Sequence, residues 1–389
     1  MTEWREVTIE ELAEKIAMGP FGSDIKVETF KPCGVPIISG KHLHETRMRD
    51  KGFNFISEEH ADKLSNANVF RGDVIFTHAG NIGQVSFIPE NSKYERYVIS
   101  QRQFYLRCNS NVLDYEFIAY YFKSPYGQYQ LLANANQTGV PSLAQPVSYL
   151  KSIKVLLPPL PEQKAIADVL SSLDDKIDLL TRQNKTLEDL AQAYFRKWFI
   201  EDASDEWEVG KLGDYIEIHD SKRVPLSKIE REKMKSGTLY PYYGAATIMD
   251  YVNDYIFDGE YILMGEDGTV ETEDGYPVLQ YATGKFWVNN HAHVLTAKSP
   301  FNNYFIWFFL KQCNISGIVT GAVQPKINQE NLKNIDIPIP DLTLINSANQ
   351  FFANIFAKIL NNLEQIKTFQ KLRDTLLPKL ISGEIRVKM

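Results

Sequence analysis

Two patterns of apolar spacing alternate along this chain, and each occurs twice. From Leu173 through Ile177, Leu180, Asn184, Leu187, Ala191, Tyr194 and Trp198, positions recur in a strict 4-3 alternation. No Gly or Pro interrupts residues 162–206, and Pro161-Glu162 stands where a proline and an acid suit a helix N-terminus. The spacing predicts a long helix with a coiled-coil seam in which Asn184 is the lone polar position. A second stripe, Ile355, Ile359, Ile366, Phe369, Leu376 and Leu380, predicts a matching helix near the end of the sequence. It is less regular because Asn362 and Arg373 fall on it. A helix of about forty residues at roughly 1.5 Å per residue is some 60 Å long. A surface helix on its own domain would show the same pattern. Two matching helices, each closing a repeat, favour pairing with each other as a rod between two globular heads.

Ahead of each helix the grammar changes. VPIISG, GDVIFTHAG, VSFIP and YVISQRQFYLR in one stretch, and GEYILMGEDG, YPVLQYATG and FWVNNHAHVLT in the other, are short β-branched and aromatic runs cut by Gly, Pro and Asn. They predict short strands and tight turns, with one helix around 113–123 and again around 302–312.

These halves are copies. With a shift of 182, Thr138-Gly139 falls on Thr320-Gly321, Leu150-Lys151 on Leu332-Lys333, and Leu173, Ile177 and Leu187 on Ile355, Ile359 and Phe369. FIAYYFK (117–123) falls on FIWFFLK (305–311) with a shift of 188, GDVIF (72–76) on GEYIL (259–263) with 187, and Trp4 on Trp207 with 203. The shift drifts only in the front part, so insertions concentrate there. The expected fold is an α+β tandem repeat with a pseudo-two-fold: a first head over 1–157, a helix over 158–204, a second head over 205–339 and a helix over 340–389.

The length of 389 residues agrees with more than one domain. The longest apolar run of note, FIWFFL (305–310), is too short to span a bilayer, and MTEWREVTIEEL carries no secretory signal. Three widely spaced cysteines, Cys33, Cys108 and Cys313, exclude a disulfide framework and fit a cytoplasmic location. A formal charge of -7 argues, taken whole, against nucleic acid. By segment it is uneven: 23–110 holds twelve basic against ten acidic residues, 151–206 eight against eleven, and 341–389 seven against four. The overall deficit then predicts weak DNA binding by this chain alone.

Chemistry is harder to find. There is no phosphate-cradling GxxxxGK[ST], no GxGxxG, no HExxH and no N/D-P-P-aromatic amine-methylation motif. Two copies of a head without a catalytic motif favour binding over turnover, so no catalytic, cofactor or metal residue is expected.

The passage IKVLLPPLPEQKAIADVLSSLDDKIDLLTRQNKTLEDLAQAYFRKWF (153–199) resembles the central conserved region of the specificity subunit of type I restriction-modification systems. LLPKLISGEIRV (376–387) resembles that family's C-terminal conserved end. GPFGSDIK, GDVIFTHAGNIG and WVNNHAHVLT are similar to stretches of its target-recognition domains. One departure is local: the second helix opens IPIPDLTLINSANQ instead of PPLPEQ, with Asp341 available as an N-cap.

The resemblance implies two target-recognition domains, each reading one half of a bipartite asymmetric site in double-stranded DNA. It implies that the two helices form an antiparallel coiled coil that sets the gap and docks two modification subunits. AdoMet would belong to the modification subunit, and ATP and Mg to restriction (ATPase-nuclease) subunits where these join. The chain itself would be non-catalytic. A protein scaffold with degenerate heads is the alternative, supported by the acidic GEDGTVETEDG (265–275).

Base edges are read by Arg or Lys at guanine and by Asn or Gln at adenine, with other groups holding phosphates. In the first head the candidates are Lys41, His42, Arg47 and Arg49, the turn His78, Asn81 and Gln84, and Gln101, Arg102 and Gln103. In the second they are Lys222, Arg223, Tyr242, Tyr243, Lys285, Asn289, Asn290 and His291. The equivalent loops 137–142 and 320–326 offer Gln137, Thr138, Gln324 and Lys326 for backbone contacts.

Overall fold

A computed structural model of the chain describes residues 4–22, 24–136, 139–321 and 324–387. It divides into two compact units, Met1–Asp178 with Ile366–Met389, and Leu179–Gln365. The long helices are Leu160–Arg196 and Leu342–Ile381, and both unit boundaries fall inside them.

Each unit closes on the same two-stranded clasp. Arg5–Thr8 pairs antiparallel with Lys154–Leu157 in the first, Arg5 opposite Leu157. Glu208–Lys211 pairs with Asp336–Ile339 in the second, Glu208 opposite Ile339. The sequence shifts of 203 and 182 carry the first pair onto the second. The α+β reading and the internal duplication therefore hold at the level of hydrogen-bonded register.

In the first unit an antiparallel sheet runs Ala13–Met18, Gln103–Cys108, Val74–Thr77, Val85–Phe87. Alternation along Val74–Thr77 serves two layers at once: Val74 and Phe76 face one core cluster, and Ile75 faces another. The first cluster is filled by the helix Tyr115–Lys123, buried from Phe117 to Phe122. Its N-cap, Asp114, accepts from the Phe117 backbone N–H at 2.9 Å. Asn302 caps Asn303–Gln312 in the same way, accepting from Phe305 at 2.9 Å. A second sheet, Asn54–Ile56, Val35–Ile38, Tyr97–Ile99, Asn68–Val69, covers the other layer.

The second unit repeats the antiparallel order with Ile216–Ile218, Ala292–Ala297, Phe257–Gly265 and Leu279–Val288. Here the sheet continues through Tyr240–Tyr243, parallel to Leu279–Val288, and Ile248–Val252. The first unit keeps two separate sheets where the second has one of six strands. This is the region in which the sequence shift drifts.

Both long helices contribute to the core of each unit. Ile166, Ala167 and Leu170 with Leu380 and Ile381 join the core of the first unit. Ala191, Phe195 and Phe199 with Ile345, Ala348, Phe352, Ile355 and Ile359 join that of the second. Within each unit the two helices also touch directly. Arg373 Nη1 lies 2.7 Å from Asp174 Oδ1 in the first, and Asn362 Nδ2 lies 2.8 Å from Asn184 Oδ1 in the second. The two residues that interrupt the second stripe are thus partners of the first helix.

Of the seam positions, Leu180, Asn184, Ile355, Ile359 and Leu380 are buried, and Leu173, Ile177, Leu187, Trp198, Ile366, Phe369 and Leu376 are half-buried. Tyr194 departs from the expectation at 40% exposed, and the buried line passes through Ala191, Phe195 and Phe199 instead. A 4-3 alternation follows 3.5 residues per turn, whereas a straight helix turns in 3.6, so the buried face drifts over several heptads. Tyr194 still packs its ring on Trp198 and Phe351, at 5.1 and 4.9 Å.

The helix starts differ as their sequences do. Gln163 is buried, donating to the Pro158 and Val112 carbonyls at 2.9 Å each and accepting from Asp114 N–H at 2.8 Å. Asp341 caps the second helix, accepting from Thr343 and Leu344 at 2.9 and 3.0 Å. Among the described residues no helix is long and apolar enough to cross a membrane.

Candidate nucleic-acid interface

In the first unit, three loops far apart in sequence converge. The turn after Tyr97–Ile99 holds its shape by Gln103 N–H donating to Ser100 O at 3.0 Å, which turns Gln101 and Arg102 outward. His78 Nε2 lies 3.0 Å from Gln101 O. Gln84 Nε2 donates to Gly40 O at 3.1 Å, tying the 78–84 turn to the 39–42 segment. Gly80, in the left-handed region at φ +85°, donates its N–H to Pro141 O, and a Cβ there would meet Arg102 Nη1 at 3.3 Å. Ser39, Lys41, His42, Asn54, Gln101 and Arg102 line one cavity of about 250 Å³. Lys41, Asn81, Gln101 and Arg102 are exposed.

His42 is the strut of this loop. Ser39 N–H donates to its Nδ1 at 2.9 Å, which makes Nδ1 an acceptor and leaves the proton on Nε2, 3.3 Å from Gly52 O. Its ring packs on Phe53 at 4.5 Å. Burial lowers its pKa, in keeping with a neutral ring.

Several candidate residues have other work. Arg47 and Arg49 line an adjoining cleft of about 360 Å³ but are engaged by acids of the first long helix. Arg47 Nη1 sits 2.5 Å from Asp175 Oδ1, and Arg49 Nη1 sits 2.6 Å from Asp178 Oδ1, with its Nε 2.6 Å from Glu45. The basic run 41–51 therefore divides: its first residues face the cavity and its arginines hold the acidic helix. Gln103 is buried and donates to Thr77 Oγ1 at 3.4 Å.

In the second unit Lys222, Lys285, Asn290, Gln324 and Lys326 are exposed. Lys285 Nζ lies 4.4 Å from the Tyr255 ring centroid and 6.0 Å from that of Tyr240. This exposed cation on two tyrosines was legible only in part, because Tyr240 and Tyr255 gave no signal of their own. Tyr242 is 1% exposed, its hydroxyl accepting from Leu226 N–H at 2.9 Å, so this tyrosine is core and cannot reach a base. Tyr243 packs against Phe286 at 5.6 Å and is half-buried. Asn289 is buried, and its Oδ1 accepts from His291 N–H at 2.8 Å. His291 pairs with Asp267. Gln137 and Thr138 lie outside the described residues.

Arg223 belongs to a closed charge network. Its Nη1 lies 2.5 Å from Glu266 Oε2 and donates to Ala292 O at 2.7 Å. Asp220 accepts from His293 Nδ1 at 2.6 Å, Gln329 Nε2 at 2.7 Å and Val294 N–H at 3.0 Å. His293 is fully buried with Nε2 2.8 Å from Ile327 O, so its ring lies between the Asp220 carboxylate and a loop carbonyl. Asp220, Glu266 and His293 could together face one cation, their ligand atoms lying within 4.8 Å of one another. A guanidinium and Lys326 Nζ, 3.3 Å from Glu266 Oε1, already fill that role, so the donor set does not fit a metal. Glu266, in the acidic stretch, is thereby neutralised internally.

The sequence matches the family model of the type I restriction modification DNA specificity domain over residues 1–189 and 204–375. It is 27% identical to the type I restriction enzyme MjaIX specificity subunit of Methanocaldococcus jannaschii, over 99% of this chain and 94% of that one. It is 37% identical over 150 residues, 39% of this chain and 37% of the relative, to a putative type I restriction enzyme specificity subunit of Haemophilus influenzae. In fold it is similar to the S subunit of a type I restriction-modification system from M. genitalium, with a TM-score of 0.61 at 19% identity, covering 99% of this chain and 96% of that one.

Proposed function

Because the chain belongs to the type I restriction-modification DNA specificity family, we propose that it is the sequence-reading subunit of such a system. Each head reads one half of a bipartite, asymmetric site in double-stranded DNA. The two long helices act as an antiparallel coiled coil that sets the unread gap and docks two modification subunits. Methyl transfer with AdoMet belongs to those partners, and ATP and Mg to restriction subunits where the system includes them. This chain supplies the address and no catalytic group.

The observation that carries this reading is the duplicated clasp. Arg5–Thr8 with Lys154–Leu157 and Glu208–Lys211 with Asp336–Ile339 close two heads of one design on one chain, and the family match spans both. Two heads of shared ancestry with divergent loops suit two different half-sites. In the first head the reading surface is the cavity of Lys41, His42, Gln101 and Arg102, with Asn81 and Gln84 beside it. In the second it is drawn from Lys222, Lys285, Asn290 and Gln324. Of the acidic stretch that spoke for a pure scaffold, Glu266 is neutralised by Arg223 and Lys326, which removes part of its weight.

The test is the methylation pattern of DNA from cells carrying this chain with its modification partner. A split motif with a fixed gap is expected, and it should vanish when this chain is deleted. An active partner that methylates a continuous motif, or the same motif without this chain, overturns the reading.

A further inference from the structure

Along the part of the long helices that lies in the second unit, Asn184 and Asn362 are the buried polar side chains among the described residues. Asn362 Nδ2 donates to Asn184 Oδ1 at 2.8 Å and reaches Gln183 Oε1 at 3.4 Å, while Asn184 Nδ2 donates to Ile359 O at 3.3 Å. Around them Leu180, Ile355 and Ile359 are buried and apolar. A carboxamide in such surroundings is tolerated when it meets another and is costly when it meets a hydrocarbon.

The helices are copies of each other, so a second arrangement is open to them. Either helix could pair with the same helix of a second copy of the chain. The shift of 182 relates Asn362 to Leu180 and Asn184 to Ile366, so the polar position does not coincide in the two copies. Two first helices paired in the observed register would set Asn184 against Leu180 of the second copy, twice over. Two second helices would set Asn362 against Ile366, again twice. Asparagine meets asparagine only when the first helix pairs with the second.

We propose that Asn184 and Asn362 are a pairing lock, selecting union of the first helix with the second over union of either helix with its own counterpart in another copy of this chain. Exchange between two chains would leave four buried carboxamides unmatched, each worth on the order of tenfold in the equilibrium. The lock keeps both heads of one assembly on a single chain. It rests on the helix pair alone and not on what the heads bind.

The full chain, co-expressed with two different affinity tags, reads this out as the fraction of mixed-tag species by native mass spectrometry after tandem purification. The wild type is expected to give almost none. The pair Leu180→Asn with Asn362→Leu reverses the logic: pairing within the chain now holds two mismatches, and pairing of first helix with first helix matches amide to amide. Its mixed-tag fraction should rise at least about tenfold. A folded variant whose fraction stays at the wild-type level overturns the proposal. If that variant does not fold, Asn184→Leu with Asn362→Leu serves. It removes the mismatch from every arrangement, so its mixed-tag fraction should exceed that of the wild type, and equality overturns the proposal. Thermal midpoints add a check: each single leucine variant should fall below the wild type and the double should recover, whereas additive losses contradict a matched pair.

Discussion

Arg47 Nη1 lies 2.5 Å from Asp175 Oδ1, which joins the loop beside the first head's cavity to the acidic face of the first long helix. Arg49 repeats the tie one turn along, to Asp178. These contacts make the two arginines positioning residues. Both pairs are partly exposed, so each contributes only about 0.2–1 kcal/mol, and less in salt. A double-mutant cycle of Arg47→Ala and Asp175→Ala should return a coupling of that size in urea unfolding. Neither variant should change the bases of the methylated motif. If Arg47→Ala alone weakened DNA binding and flattened its salt dependence while Asp175→Ala did not, Arg47 would be a phosphate contact instead.

Gln101 and Arg102 are presented outward by a turn whose other residues, Ser100 and Gln103, are tied inward. Replacing Gln101 with Ala should relax one base position by about 1–3 kcal/mol and change the first half-site alone. Arg102→Ala should reduce affinity more uniformly, with a salt slope smaller by about 1 if it holds a phosphate. Methylome sequencing separates the two outcomes. A changed second half-site would place the turn outside the first reading surface.

Burial pushes the Asp220 carboxyl up, but the His293 hydrogen bond and charge, the Val294 N–H and Arg223 outweigh it and hold it below the ordinary carboxylate range. A depressed carboxyl stabilises the fold above its unfolded value, about 3.9, and that contribution is lost as pH falls through the folded value. The second unit should therefore lose stability below about pH 4 in the wild type. Asp220→Asn should remove that acid limb while costing on the order of 3–5 kcal/mol at neutral pH, because Arg223 loses a buried counter-charge and His293 loses a carboxylate partner. Unfolding midpoints between acid and neutral pH measure both effects. An unchanged acid limb in the variant would assign it to other carboxylates.

Inserting seven residues after Lys185, matched by seven after Leu360, keeps the helices in register. At about 1.5 Å per residue and 3.4 Å per base step, the gap between half-sites should lengthen by about three base pairs. Both half-sites should stay the same in the methylome. An altered half-site would contradict the spacer role.

Periodicity made the large elements readable. Leu173 to Trp198 marked the first long helix, and the clasp strands and capped helices at Asp114 and Asn302 fell where the sequence shifts put them. The individual site residues were less readable. Tyr242, Asn289 and Arg223 have the side chains a DNA reader uses, yet the first is core, the second holds a turn and the third closes a charge network. Composition cannot distinguish an arginine facing solvent from one facing a glutamate forty-three residues away.

The sequence by itself determined the duplication, the α+β order of each copy, the two long helices and the family. Those properties reside in spacing along the chain, which local geometry converts directly into strands, turns and helical faces. Only the tertiary structure decided which polar groups remain free. The division of the basic run between cavity and helix, the Asp220–Arg223–Glu266–His293 network and the meeting of Asn184 with Asn362 all join residues distant in sequence. Burial makes an unmatched charge or amide costly, so such groups settle on partners that folding alone brings within reach.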